Sequence, residues 1–311
     1  MAEVVLVHGI GPVDQPAEEL HTEWVAAIAD TLRAADEHAL ADGLAQGHVT
    51  TAMAYYRDLF KPYEPKDKWD DPLPESMAGT AQRVGEGFLL NVEEHAGDPA
   101  DREEAARELA AFREQLGPEQ GMAEVLRLTI GSLARCGVVA RAGFAALKTV
   151  LLRNLAQVAA YLDDEAVRER AVAAVLTEIG PETKAVYAHS LGTVVAYEAI
   201  HRLERSQSLP LLVTFGSPLG LRTIVRERVR PQPPCAPEGL GRWVNVADRD
   251  DYIVASLELR KVLLGPHDVL EPTRRVSNPG LDAHPAVKYL GHRETVMPLV
   301  EALKAARGIT A

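Results

Sequence analysis

Hydrophobic positions along the chain fall into short continuous runs and longer periodic ones, and their alternation predicts an α/β architecture. Val4 to Val7 is an unbroken β-branched and leucine run, the pattern of a central parallel strand buried on both faces. Glu18 to Ala39 places Leu20, Trp24, Ile28 and Leu32 on one helical face. His48 to Tyr56 reads as the next strand. Beyond the middle of the chain the alternation resumes: a strand-like run at Ala185 to Ala188, a helix-like series through Val194, Val195, Tyr197 and Ala199, then strands at Pro210 to Phe215 and Arg242 to Ala247. A short strand-like RRVS and a helix from about Arg293 to Arg307 complete the pattern.

Between these two stretches the alternation breaks. The segment KPYEPKDKWDDPLPES after Phe60 is rich in proline and charge and reads as a loop. From about Pro74 to Asp164 the pattern is helical, with no convincing strand, and far longer than the crossover between two parallel strands needs. Residues 61–164 are therefore expected to form an inserted helical cap, with 1–60 and 165–311 making the core. The two halves of this insertion differ in charge. Residues 75–116 carry ten acidic and four basic side chains, whereas 121–162 carry Arg127, Arg135, Arg141, Lys148 and Arg153 against Glu124. The second half is also the more apolar, with runs such as GVVA and TVLL that serve either as helix-packing core or as the lining of an acyl passage. Gly131, Gly137 and Gly143 mark helix breaks or close-packing points. Arg222, Arg226, Arg228 and Arg230 read as a solvated surface, and the prolines of 231–241 as a loop.

With 311 residues, 47% apolar and 25% charged, the chain is long enough for one α/β domain carrying an insertion. Its formal charge of −12 argues against nucleic acid or an anionic membrane as partner, since phosphate binding needs concentrated basic surface. Only Cys136 and Cys235 are present, too few for a disulfide framework. No targeting segment and no uncharged apolar run long enough to span a bilayer is evident, and the expected location is cytoplasmic.

Candidate chemistry centres on KAVYAHSLGTVVAYEA, residues 184–199. A serine between a buried strand and a helix forms a nucleophile elbow, which needs small residues two positions to either side. Ala188 and Gly192 supply them, so the usual G-x-S-x-G appears as A-x-S-x-G around Ser190. The simpler alternative is a serine capping an ordinary helix. A second motif, His8-Gly9-Ile10-Gly11, directly follows the first strand. Glycines there let the backbone approach a carbonyl oxygen, with Ile10 or its neighbour and Leu191 as the N–H donors of an oxyanion hole. His8 itself reads as a structural histidine that hydrogen-bonds this loop.

VVLVHGIG, AHSLG, and then aspartate and histidine in that order resemble the α/β-hydrolase superfamily, in particular its serine esterase and lipase-like members. The resemblance covers residues 1 to about 60 and about 165 to 311. It implies a mostly parallel sheet flanked by helices, a Ser-His-Asp triad and no cofactor. NVADRDDYIV resembles the esterase pattern around the acid and points to Asp251, with Asp248 and Asp250 as competitors. Asp248, at a strand end, is suited to tying down a loop through backbone N–H groups. The base falls in the loop NPGLDAHPAVKY, as His284. His292 competes with it, and His267 comes too early. His21, His38, His95 and His201 lie on helical patterns and are expected at the surface. No metal-ligand spacing and no phosphate-binding glycine loop occurs. The expected activity is cleavage of an ester or thioester with a hydrophobic acyl group. Acyl transfer or cyclisation with the same triad is the alternative, as is a binding protein of the same fold without turnover.

Overall fold

The computed structural model describes residues 1–63, 74–115, 122–136, 155–204, 207–221, 225–251, 253–254, 258–264, 268–280 and 282–308. His267, Gly137, Gly143, Arg222 and the apolar runs at 137–140 and 149–152 lie outside them, as does most of the proline-rich segment after Phe60.

Six strands, β1 (Val4–Val7), β2 (Thr51–Ala54), β3 (Ala185–His189), β4 (Leu211–Phe215), β5 (Trp243–Asp248) and β6 (Arg274–Val276), form one sheet in the order β2-β1-β3-β4-β5-β6. Every neighbouring pair is parallel. β1, β3, β4 and β5 are buried along their whole length and read as largely apolar runs because both faces of the sheet are covered there, whereas the edge strands β2 and β6 are partly exposed. The helices are α1 (Ala17–Ala34), α2 (His38–Ala45), α3 (Ala78–His95), α4 (Pro99–Gln115), α5 (Met122–Arg135), α6 (helical over 155–163), α7 (Glu165–Glu178), α8 (Leu191–Ile200), α9 (Val225–Arg228), α10 (Ala286–Leu290) and α11 (Arg293–Ala306). Successive strand residues point to opposite faces. Val4, Leu6, Ala185 and Tyr187 join Leu20, Trp24, Ile28 and Leu299 on one side, while Val5, Val7, Val186 and Ala188 join Phe88, Tyr161 and Val194 on the other.

The single helix expected over 18–39 is two. Asp36 takes a left-handed turn at φ 64°, and α2 restarts at His38. One strand is shorter than its pattern, β2 spanning Thr51–Ala54 rather than 48–56. The expectation of surface histidines holds only for His38. His21 is half-buried against Thr51 Oγ1 at 2.8 Å, His201 is half-buried against the Cys235 carbonyl at 3.2 Å, and His95 is half-buried as well.

Among the described residues between β2 and β3 there is no strand. There α3 packs on α4 and α5, closely enough that a Cβ on Gly85 would lie 2.5 Å from the Thr129 side chain. The opposite charges of this region meet where Arg135 of α5 pairs with Glu108 of α4 at 2.5 Å. A second ion pair is fully buried: Arg168 of α7 donates through Nε to Glu198 of α8 at 2.8 Å, and Tyr161 of α6 donates to the same carboxylate at 2.8 Å. This links α6 and α7 to the helix that follows Ser190. No helix among the described residues is long and apolar enough to cross a membrane.

The chain leaves β1 toward β2 on one side and later enters β3 on the other side of β1. Loops from the carboxyl ends of β1 and β3 therefore diverge and open a crevice, the place where open parallel sheets bind ligands.

Candidate active site

Ser190 sits in that crevice, one residue past β3. Its backbone is at φ 52°, ψ −132°, a conformation that costs about 1–3 kcal/mol for a residue with a side chain. Tight packing enforces it. A Cβ on Gly192 would lie 2.4 Å from the His8 carbonyl oxygen, and one on Gly9 would lie 2.4 Å from Ser190 Cβ. Both glycines are thus required by the contact between the loop after β1 and the elbow after β3. Thr193 supports the turn, its Oγ1 donating to the Ser190 carbonyl at 2.8 Å.

Ser190 Oγ lies 2.9 Å from His284 Nε2, and His284 Nδ1 lies 2.8 Å from Asp251 Oδ2. A carboxylate only accepts, so Nδ1 carries the proton and Nε2 presents its lone pair to the serine hydroxyl. Asp251 is buried. Its Oδ1 accepts the Ile253 N–H at 3.0 Å, and its Oδ2 also accepts the Tyr289 hydroxyl at 2.8 Å. Burial alone would lower the His284 pKa, but the Asp251 charge and hydrogen bond outweigh it and hold the imidazole above its ordinary 6.5.

The competing residues take other places. Asp248 accepts the N–H groups of Asp250 and Asn278, at 2.9 and 2.5 Å, and so ties the end of β5 to the loop before His284. Burial pushes its carboxyl up, with those N–H groups opposing. Asp250 is exposed. His292 donates to Asn278 Oδ1 at 2.9 Å, and Asn278 Nδ2 donates to the Ala283 carbonyl, so this histidine steadies the loop that carries His284.

The loop after β1 is braced from three sides. His8 donates from Nδ1 to the Gly9 carbonyl at 2.8 Å and accepts the Tyr56 N–H at Nε2, at 3.2 Å. Burial, with the Arg57 charge nearby, lowers its pKa to about 3, so it stays neutral. Gln157 of α6 clamps Gly11 by donating to its carbonyl at 3.1 Å and accepting its N–H at 3.4 Å. Arg57 Nη1 donates to the Pro12 carbonyl at 3.4 Å and to Gln15 Oε1 at 2.5 Å. Ile10 of this loop and Leu191, the first residue of α8, line the same space as Ser190.

Four contributors escape sequence reasoning. His189, the variable residue of the elbow, is buried, with Nε2–H donating to the His284 carbonyl at 2.8 Å and its ring centroid 4.6 Å from that of His284. Burial and the neighbouring imidazole push its pKa well below 6.5. Tyr289, Gln157 and Arg57 are the others. None carries a local pattern, since each acts across more than 30 residues of chain.

Two spaces open at the Ser190–His284 pair, one beside Ser190 and one beside His284. One is apolar and narrow, lined by Val84 and Phe88 of α3, Val158 and Leu162 of α6, and Ile253, with Ser190 its one polar group. At about 10 Å³ it holds roughly one water. The other, of about 190 Å³, passes His284 and is mixed, with Gln15, Glu23 and Arg57 beside Leu20, Trp24 and Val287. Ile10 borders both. Comparison with protein-family models finds no match, and comparison with curated proteins and with solved structures finds none either.

Proposed function

We propose that this chain is a serine hydrolase of the α/β-hydrolase type that cleaves a carboxylic ester or thioester carrying a hydrophobic acyl group. The observation that carries this reading is the hydrogen-bonded row Ser190–His284–Asp251 at the carboxyl edge of a parallel sheet. Ser190 Oγ attacks the acyl carbon while His284 Nε2 takes its proton, and Asp251 holds the ring and stabilises the imidazolium. The tetrahedral oxyanion is received by the N–H groups of Ile10 and Leu191. Collapse breaks the bond to the leaving oxygen or sulfur, which receives the proton from His284. Water, deprotonated by the same nitrogen, then releases the acid and restores Ser190.

In this reading α3 to α6 act as a cap, and Val84, Phe88 and Leu162 meet the acyl group. The elbow's positive φ favours a nucleophile over a mere helix cap, because an ordinary N-cap has extended φ/ψ and needs no strained backbone. The unpaired Cys136 and Cys235 fit a reducing compartment, and with it a cytoplasmic location. The test is Ser190→Ala against wild type on a p-nitrophenyl ester, with a fluorophosphonate probe as a second readout. Loss of labelling and a fall in kcat on the order of 10⁶ are expected. Turnover near wild type in the variant would overturn the assignment.

A further inference from the structure

His189 is the elbow residue whose polar side chain the proposed reaction leaves without a role. It ends β3 on the face that Ala185 and Tyr187 turn toward α1 and α11. Its ring centroid lies 6.1 Å from that of Trp24, 5.3 Å from Phe215 and 6.2 Å from Tyr289. Packing in such an aromatic cluster is served by a hydrocarbon ring. An imidazole there gives up its hydration, and burial, joined by the neighbouring His284, pushes its pKa well below 6.5. What it adds over a hydrocarbon is an N–H, which Nε2 donates to the main-chain carbonyl of His284 at 2.8 Å. Gly216, at φ 57°, leaves the room: a Cβ there would lie 3.1 Å from His189 Nε2 and 3.3 Å from Asp251 Oδ2.

The base needs such a tie because residues 282–285 belong to no helix or strand. The His284 ring is held at two points, Nε2 by Ser190 Oγ at 2.9 Å and Nδ1 by Asp251 Oδ2 at 2.8 Å. Two points define an axis, and a ring free to roll about it swings the Nε2 lone pair away from the serine. The His284 N–H goes to Asp282 Oδ1 at 3.0 Å, a bond within the same loop that moves with the loop. The carbonyl bond reaches outside the loop, to the residue joined by a peptide bond to Ser190. It is a third point, off the axis, and it makes the main chain of the base travel with the nucleophile. We propose that His189 is a positioning residue: its Nε2–H fixes the main chain of His284 against the elbow and keeps His284 Nε2 on line with Ser190 Oγ through acylation and deacylation. The assignment rests on Ser190 and His284 acting as a hydrolase pair.

Three variants of the full-length chain separate the hydrogen bond from packing: His189→Gln, His189→Asn and His189→Phe. Glutamine carries an amide N–H to about the reach of Nε2, asparagine stops one methylene short, and phenylalanine fills the ring's place with no donor. Each is assayed on p-nitrophenyl butanoate, with active sites counted by fluorophosphonate labelling carried to completion and stability read by urea denaturation. In the asparagine and phenylalanine variants kcat per labelled site is expected to fall about tenfold to a hundredfold, the cost of a misplaced base. KM should stay within about twofold of wild type, because His284 serves acylation and deacylation and the two slow together. Glutamine should recover most of the lost kcat, whatever the order of the three in urea. Packing alone predicts a different order, with phenylalanine, the best fit to an aromatic cluster, the most active. Phenylalanine near wild type in kcat, glutamine no faster than asparagine, or a change confined to KM overturns the positioning role and leaves the hydrolase reading standing. Absence of Ser190-dependent hydrolysis and of fluorophosphonate labelling in the unaltered chain overturns the hydrolase reading, and this one with it.

Discussion

Asp251 Oδ2 serves two donors at once, the imidazole of His284 and the hydroxyl of Tyr289. The proposed hydrolysis needs His284 neutral, so kcat/KM is expected to fall as pH drops through its raised pKa, an acid limb lying above 6.5. Tyr289→Phe removes the competing donor. Oδ2 is then left as a stronger partner for the imidazolium, and the limb should move further up; an unmoved limb would reduce Tyr289 to packing. Asp251→Asn should lower kcat by roughly 10⁴, since an amide N–H facing Nδ1 selects the wrong tautomer. Asp248→Asn should act on stability instead. Each Asp248 oxygen accepts one N–H, so asparagine sets an NH2 donor against one of the two N–H groups, and a loss of about 1–3 kcal/mol is expected in chemical denaturation. The reverse pattern in the two asparagine variants would exchange their roles. Ser190 and its small neighbours were legible in the sequence because the elbow is local: Gly192 must be glycine where the His8 carbonyl passes 2.4 Å from its missing Cβ. Tyr289 and Gln157 were not legible, because each meets its partner across the fold, where spacing along the chain carries no signal.

At the scale of elements, the central strands announced themselves through apolar runs, since a parallel sheet covered on both faces leaves no polar side. Helix ends did not. The break between α1 and α2 depends on Asp36 adopting φ 64°, which the unbroken helical period through Leu32 and Leu40 conceals. The contact of α3 and α6 with the crevice was equally hidden, because helical periodicity names a buried face but not what buries it. That contact can be tested. The apolar space between Phe88, Leu162 and Ser190 holds about 10 Å³, so an acyl chain is limited by the side chains that close it. Phe88→Ala should shift the preferred acyl length upward in a p-nitrophenyl ester series. Each additional methylene buried is worth about 0.8 kcal/mol, nearly fourfold in kcat/KM. The same change should destabilise the fold by about 3–5 kcal/mol, because Phe88 is core as well as lining. A destabilised variant with an unchanged chain-length optimum would show that the ring is core alone, and that acyl chains lie elsewhere.

For the molecule as a whole, acid should be more damaging than the net charge suggests. At neutral pH the chain carries −12 and its isoelectric point is near 5.4, so lowering pH relieves long-range repulsion. Most of that charge is on the surface, where about 8–10 Å of salt screening leaves little to relieve. Buried histidines act the other way. His8 and His189 are held neutral by burial, with His8 near pKa 3 and His189 well below 6.5. On unfolding both return to 6.5. Below that pH the unfolded chain takes up protons that the native state refuses, and their contribution to stability is lost as pH falls from 6.5 toward the folded values. Each such histidine costs about 1.4 kcal/mol per pH unit in this window. His284 has the opposite sign. Its raised pKa adds stability that is fully present below 6.5 and lost as pH rises through the folded value, so it gives no slope in the acid window. Urea denaturation between pH 6.5 and 5, at protein concentrations low enough to avoid association near the isoelectric point, should show stability falling by roughly 2–3 kcal/mol per pH unit from the pair. His8→Asn, which cannot titrate, should remove about half of that slope whatever it does to stability at pH 7. A wild-type curve flat across the window would mean that the crevice admits a proton to these rings, and that the brace behind Ser190 is not the neutral hydrogen-bonded one described.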